Sequence, residues 1–210
     1  MQQLTCHPTC YNMSGDMFKT EPKIVFDDRK QKLLQTAVDI IATQGYAKLT
    51  MRALARSDGI KLGALQYHFP TWEALLSALA RYIGDSYESS FSALKDKPGG
   101  VDLEELVLFA LDDIPGIFLH SDNLFPQLWA MAQIEPVMAE MLNVIYTKYL
   151  SRIEDCLIAL KHSTPRAEAL VLMSLIEGST LFVGANRRWH KDAAAMQTTI
   201  LEIIRSRYGT

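Results

Sequence analysis

Apolar side chains in this chain recur at helical spacing, and nowhere does it show a long alternating run of β-branched residues. That regularity excludes sheet-based folds and leaves an all-α architecture. It is clearest where the periodic region begins: Leu34, Ala37, Val38 and Ile41 fall at i, i+3, i+4 and i+7 and line one helix face. Asp27 and Asp28 stand before it as N-caps, and Gly45 follows as a stop that tolerates the left-handed region.

Thr50 then caps a short second helix over 51–57, whose Leu54 points inward. Asp58-Gly59 supplies a turn, Ile60 returns to the core, and a third short helix runs from about Leu62 to Phe69. Pro70 breaks it. Thr71 caps a long fourth helix with Glu73 at its positive end; Leu75, Leu76, Leu79, Tyr82 and Ile83 keep the spacing until it fades near Leu94. At 1.5 Å per residue that helix spans about 30–35 Å, enough to leave a small domain and enter its neighbour. After the breaker Lys97-Pro98-Gly99-Gly100, further helices are expected near 102–120 (kinked at Pro115-Gly116), 123–134, 136–162, 165–186 and 192–207. Pro136 and Pro165 suit first-turn positions, where a missing N–H costs nothing.

Residues 1–26 show no periodicity and read as a flexible tail. Cys6, His7 and Cys10 lie there with no second ligand cluster downstream, too few to close a tetrahedral zinc site, so no metal and no cofactor is expected. With 210 residues, 49% hydrophobic and 21% charged, the chain has room for one large domain or two small ones and is not disordered throughout. The greasiest stretches, 106–111 and 114–119, are far shorter than the roughly 18–20 residues of a membrane span. No basic segment followed by an apolar one opens the chain, and three cysteines cannot all pair with one another. A soluble cytoplasmic protein without membrane association is expected.

The net charge of −3 is unevenly spread. Residues 29–72 hold seven basic residues (Arg29, Lys30, Lys32, Lys48, Arg52, Arg56 and Lys61) against Asp39 and Asp58, while 73–210 hold twelve basic and eighteen acidic ones. A basic block beside an acidic remainder suits a protein in which one part meets phosphates and the other does not. Within that block, two short helices joined by a glycine turn have the layout of a helix-turn-helix. Its second helix must hold one face to the bundle and offer the other to a major groove. Leu65 and Phe69 can face inward, which leaves Lys61, Gly63, Ala64, Gln66, Tyr67 and His68 around the front. Small Gly63 and Ala64 permit close backbone approach, Gln66 suits adenine, and Tyr67 and His68 can reach phosphate or base edges.

The stretch Gly45-Tyr46-Ala47-Lys48-Leu49-Thr50-Met51-Arg52-Ala53-Leu54-Ala55, followed by Gly59-Ile60-Lys61-Leu62-Gly63-Ala64-Leu65-Gln66-Tyr67-His68-Phe69-Pro70-Thr71-Trp72-Glu73, resembles the tetracycline-repressor (TetR) family of bacterial regulators. The motif-level resemblance covers residues 29–88. It implies a DNA-binding domain over 27–88, an effector-binding and dimerisation domain over 89–210, and a homodimeric repressor released from operator DNA by a small molecule. It also implies DNA contacts by Thr50, Arg52, Lys61, Gly63, Ala64, Gln66, Tyr67 and His68. Three positions depart from the family pattern: Lys61 stands where a capping Ser or Thr is common, Gln66 replaces a frequent Tyr, and Trp72 replaces a frequent Lys.

A pair of C-terminal helices would build the dimer interface, with Leu172, Leu175, Ile176 and Phe182 on one and Ile200, Ile203 and Ile204 on the next; Gly178 and Gly184 would permit close approach. Candidate pocket residues are Phe109, Phe118, His120, Phe125, Trp129, Met131, Tyr146, Met173 and Glu177, a lining suited to an apolar or aromatic effector. Effector binding would shift the far end of the fourth helix, near Tyr82 to Phe91, and so move the recognition helices. Phosphate-loop, HExxH, Gly-x-Ser-x-Gly and paired-thiol motifs are missing, so an enzyme is not expected. A helical small-molecule carrier or interaction module is the competing class, and DNA binding separates the two.

Overall fold

The computed structural model describes residues 27–95, 102–111 and 123–209, and within them every regular element is a helix. Phe118, His120, the 1–26 tail with Cys6, His7 and Cys10, and the Pro115-Gly116 kink lie outside the described residues.

Helix α1 (Asp28–Gln44) starts where the Asp27 carboxylate accepts the Lys30 N–H at 2.8 Å. It stops at Gly45, whose φ of +87° a side chain would resist. Leu34, Ala37, Val38 and Ile41 are all fully buried, as their spacing requires. After a single 3-10 turn at Tyr46–Lys48, α2 (Met51–Ser57) is capped by Thr50, whose hydroxyl accepts from Ala53 N–H at 3.0 Å. Gly59, at φ +69°, turns the chain into α3 (Leu62–His68). Asp58 at that turn pairs with Arg29 and accepts from the Thr36 hydroxyl, which fixes the end of α2 to α1. Lys61 begins α3 without a side-chain cap.

Helix α4 (Trp72–Lys95) begins where the Thr71 hydroxyl accepts from Ala74 N–H at 3.1 Å. Its buried residues Leu75, Leu76, Leu79, Ala80 and Ile83 pack on α1 first and then on α7, so one rod serves both parts of the molecule. The larger carboxy-terminal part comprises α5 (Leu103–Leu111), α6 (Phe125–Ala132), α7 (Pro136–Ala159), α8 (Pro165–Val183) and α9 (Ala193–Tyr208). Helix α7 is its centre, packing on α4, α5, α6 and α8. Arg205 pairs with Glu104 of α5, and Arg207 with Glu168 of α8, which ties α9 down.

Two helix ends differ from the expected ones. Helix α7 ends at Ala159 rather than 162, because Lys161 takes φ +62° and His162 N–H bonds back to Leu157. Helix α8 ends at Val183 rather than 186, with Gly184 following. Of the 102–120 expectation, α5 occupies Leu103–Leu111. No helix among the described residues is long and apolar enough to cross a membrane.

Candidate nucleic-acid interface and ligand recess

The short helix α3 is two-faced. Leu65 is fully buried and Phe69 nearly so, which anchors the helix; burying one such side chain stabilises by about 1.5–3 kcal/mol. On the other face Lys61, Gly63, Ala64, Gln66 and Tyr67 are exposed, Tyr67 to 84%. His68 is half-buried, its ring edge-on to Tyr67 at 5.4 Å. A Cβ added at Gly63 would meet nothing within 4 Å among the described residues, so the α3 front is open at that position. Thr50 and Arg52 are exposed at the start of α2, although the Thr50 hydroxyl is already engaged in capping. The surface therefore gathers the candidate contacts around one front, with their supporting apolar residues behind.

Trp72 is half-buried and stacks on Tyr46 with ring centroids 6.4 Å apart. This position is structural: the Tyr46 ring it supports belongs to a clasp between the two parts of the molecule. The Tyr46 phenol donates to Glu135, and the Tyr46 N–H donates to Gln127 Oε1 at 3.2 Å. Burial, reinforced by the adjacent Glu135 carboxylate, pushes the phenol's pKa up, so it stays a donor. The glycine at 45 matters here too, since a Cβ would sit 3.5 Å from Gln127 Oε1. Nothing in sequence spacing could reveal a bond between residues 81 positions apart.

A second feature lies among α6, α7 and α8. Phe125, Pro126, Trp129, Glu177, Thr180 and Leu181 line a recess of ≈ 280 Å³, almost entirely apolar apart from the carboxylate and the threonine. Phe125 meets Tyr87 of α4 and Tyr146 of α7 edge-on, each at 6.1 Å. Trp129 Nε1 donates to the Tyr146 hydroxyl at 2.7 Å, and that hydroxyl in turn hydrogen-bonds Glu177. Loss of water around Glu177 raises its pKa to about 7, an effect the Tyr146 hydrogen bond only partly offsets. Burial also pushes the phenols of Tyr146 and Tyr149 up, and the charge of Glu177 adds to it.

Four of the sequence-derived pocket residues thus come together: Phe125, Trp129, Tyr146 and Glu177. Three do not. Met131 and Met173 are core side chains, and Phe109 is half-buried on α5 away from the recess wall. Another hollow of ≈ 270 Å³ between α8 and α9 takes in Thr180, Val183, His190, Met196 and Ile200, and none of the pocket candidates lines it.

The interface candidates divide in the same manner. Leu172, Ile176, Ile200 and Ile204 are buried inside their own chain, at 2, 5, 3 and 0% exposure, so they form its core and have no surface left for a partner. An apolar helix stripe is first consumed by the chain's own packing, and periodicity does not say which stripe that is. Leu175 is half-buried, while Phe182 and Ile203 remain exposed. Sequence reading passed over Val171, which is 58% exposed and continues the stripe Val171, Leu175, Gly178, Phe182 along α8. A Cβ at Gly178 would meet nothing within 4 Å among the described residues, so the stripe is open at that position.

Residues 33–79 match the family model for bacterial regulatory proteins of the tetR family. The chain is 26% identical over 186 residues to the HTH-type transcriptional regulator CymR of Pseudomonas putida, covering 85% of this chain and 90% of that protein. Among solved structures it is similar to a protein of Saccharomonospora viridis crystallised in complex with choline (TM-score 0.72, 21% identity, 87% of this chain and 98% of that one). It is likewise similar to GusR of Salmonella enterica (TM-score 0.65, 18% identity, 90% and 100%). The resemblance to the TetR family thus holds in the amino-terminal sequence and in the fold of the whole. These likenesses point to transcriptional regulation rather than to catalysis.

Proposed function

We propose that this chain, a DNA-binding regulator of TetR type, acts in the cytoplasm as a homodimeric repressor that leaves its operator when a small molecule fills the α6–α7–α8 recess. The observation that carries the reading is the two-faced α3, anchored by Leu65 and Phe69 and presenting Lys61, Gln66 and Tyr67 to solvent within the basic block. Thr50, Arg52, Gly63, Ala64 and His68 complete the DNA-facing set. Residues 27–88 make the DNA-binding domain and 89–210 the effector-binding and dimerisation domain.

Two copies are needed because operator half-sites lie about 34–36 Å apart, beyond the reach of a single α3. Val171, Leu175, Phe182 and Ile203 supply an uncovered apolar face on α8 and α9 for that pairing. A fold neighbour in complex with choline supports the reading that a chain of this fold takes a small-molecule effector.

Coupling runs through α6. That helix presents Phe125 and Trp129 to the recess and Gln127 to Tyr46, and Glu135 just past its end holds the Tyr46 phenol. A ligand that displaces α6 pulls on the junction between α1 and α2, while Phe125 pushes on Tyr87 of α4. By linkage, such a ligand releases DNA only by binding the DNA-free arrangement more tightly. Selection of bound fragments from the source genome by the purified protein tests this. Recovery of a discrete sequence bound at moderate salt supports it; a folded protein that retains no fragment even at low salt would make it a helical carrier.

A further inference from the structure

The recess combines features seldom found together by accident: an apolar lining, two aromatic walls and a carboxylate drawn out of water. We propose that it is built for an organic monocation of alkyl- or arylammonium type, with Glu177 as counter-ion and the Phe125 and Trp129 rings as walls. This rests on the reading of the recess as the effector site and narrows its ligand from any apolar or aromatic molecule to a positively charged one.

The geometry argues as follows. A neutral apolar ligand gains nothing from a carboxylate in its pocket, and the α8 helix carries Glu177 there at the expense of its hydration. Among the described residues, the polar groups facing that carboxylate are hydroxyls and not cations: Tyr146 and Tyr149 from α7, Tyr87 from α4 and Thr180 on α8 itself. Tyr146, whose hydroxyl accepts from the Trp129 indole N–H, favours the carboxylate form of Glu177 without neutralising its charge. A half-buried carboxylate that has lost part of its hydration is stabilised by a counter-charge brought by a ligand. Aromatic faces attract an alkylated ammonium through their quadrupole, and the attraction strengthens where water is excluded. The ≈ 280 Å³ volume suits a small arylammonium and not a large polycation. The raised pKa of Glu177 agrees with this, because the site is neutral when empty at or below about pH 7 and acquires its charge with the ligand.

The test uses the full-length dimer and two probes of the same shape, phenyltrimethylammonium and its neutral isostere tert-butylbenzene, with binding read by tryptophan fluorescence and calorimetry at pH 8. The cation is expected to bind at least about tenfold more tightly than the isostere, in line with a desolvated cation–aromatic contact beside a carboxylate. Glu177→Gln should abolish that preference while keeping tert-butylbenzene binding, which also shows that the recess has stayed intact. Trp129→Leu, at a half-exposed position, removes one aromatic wall and the indole bond to Tyr146, and should reduce the preference as read by calorimetry. Equal affinity for the two probes, a preference that survives Glu177→Gln, or no binding of the cation by a wild-type protein that still holds operator DNA would each overturn the proposal. A wild-type protein that binds the cation but no genomic fragment would keep this inference and remove the repressor reading.

Discussion

Leu65 and Tyr67, two positions apart on α3, show how differently neighbouring residues are employed. Leu65 is fully enclosed, so Leu65→Ala should cost about 2–5 kcal/mol of stability by leaving a cavity under the helix. Tyr67 stands almost wholly in solvent, so Tyr67→Ala should change stability by no more than about 0.5 kcal/mol. The same substitution should weaken operator binding by about 1–3 kcal/mol if the side chain reaches a base edge or phosphate. Chemical denaturation and a DNA titration on each variant separate these outcomes. Glu177 makes a prediction in pH. Its folded-state pKa, about 7, lies above the ordinary carboxyl value of 4.5, so between those values the native state keeps a proton that the unfolded chain has lost. Stability from this group is therefore greatest below pH 4.5 and falls as pH rises through about 7. Glu177→Gln should remove that slope and raise stability at pH 8 relative to wild type, by at most about 3 kcal/mol. A ΔG-against-pH curve with the same slope in both proteins would contradict the assignment.

Helix ends marked by a capping side chain or a glycine were legible in the amino-acid sequence, and features that depend on distant packing were not. Asp27, Thr50 and Thr71 each cap the helix their chemistry predicts, because an N-cap needs only its own side chain and the N–H groups of the first turn. The short α2 and α3 follow from these signals together with the Gly59 turn. The end of α7 carries no such mark, since Lys161 and not a glycine takes the left-handed position there. The stripe on α8 depends on distant packing: Leu172 and Ile176 look as suited to an interface as Val171 and Phe182 until the rest of the bundle is present. Hence the anchored face of α3 could be read in advance, half of the recess could, and the clasp of Tyr46 with Gln127 and Glu135 could not. That clasp yields a prediction for α6. Tyr46→Phe keeps the stack on Trp72 and deletes only the phenol's bond, so it should cost about 1 kcal/mol of stability. Ligand affinity should stay near wild type while ligand-driven release from DNA becomes weaker. Release that is unchanged in Tyr46→Phe and in Gln127→Ala would place the coupling in α4 instead.

At the scale of the whole molecule, the proposed function depends on two identical fronts held at a fixed separation. In that proposal the basic block supplies attraction to DNA, the acidic remainder stays off it, and the exposed apolar stripe on α8 supplies the joint. Phe182→Glu should therefore give a folded monomer by sedimentation, since Phe182 is exposed and its loss leaves no cavity in the subunit. Operator affinity should fall with dimerisation even though every α3 side chain is unaltered. The most direct test of the central claim is hydroxyl-radical footprinting of the wild-type protein on a fragment selected from its genome. Two protected patches related by two-fold symmetry, with centres about 10–10.5 base pairs or a multiple apart, are predicted. A single unsymmetrical patch, or none from a folded dimer at low salt, would contradict it.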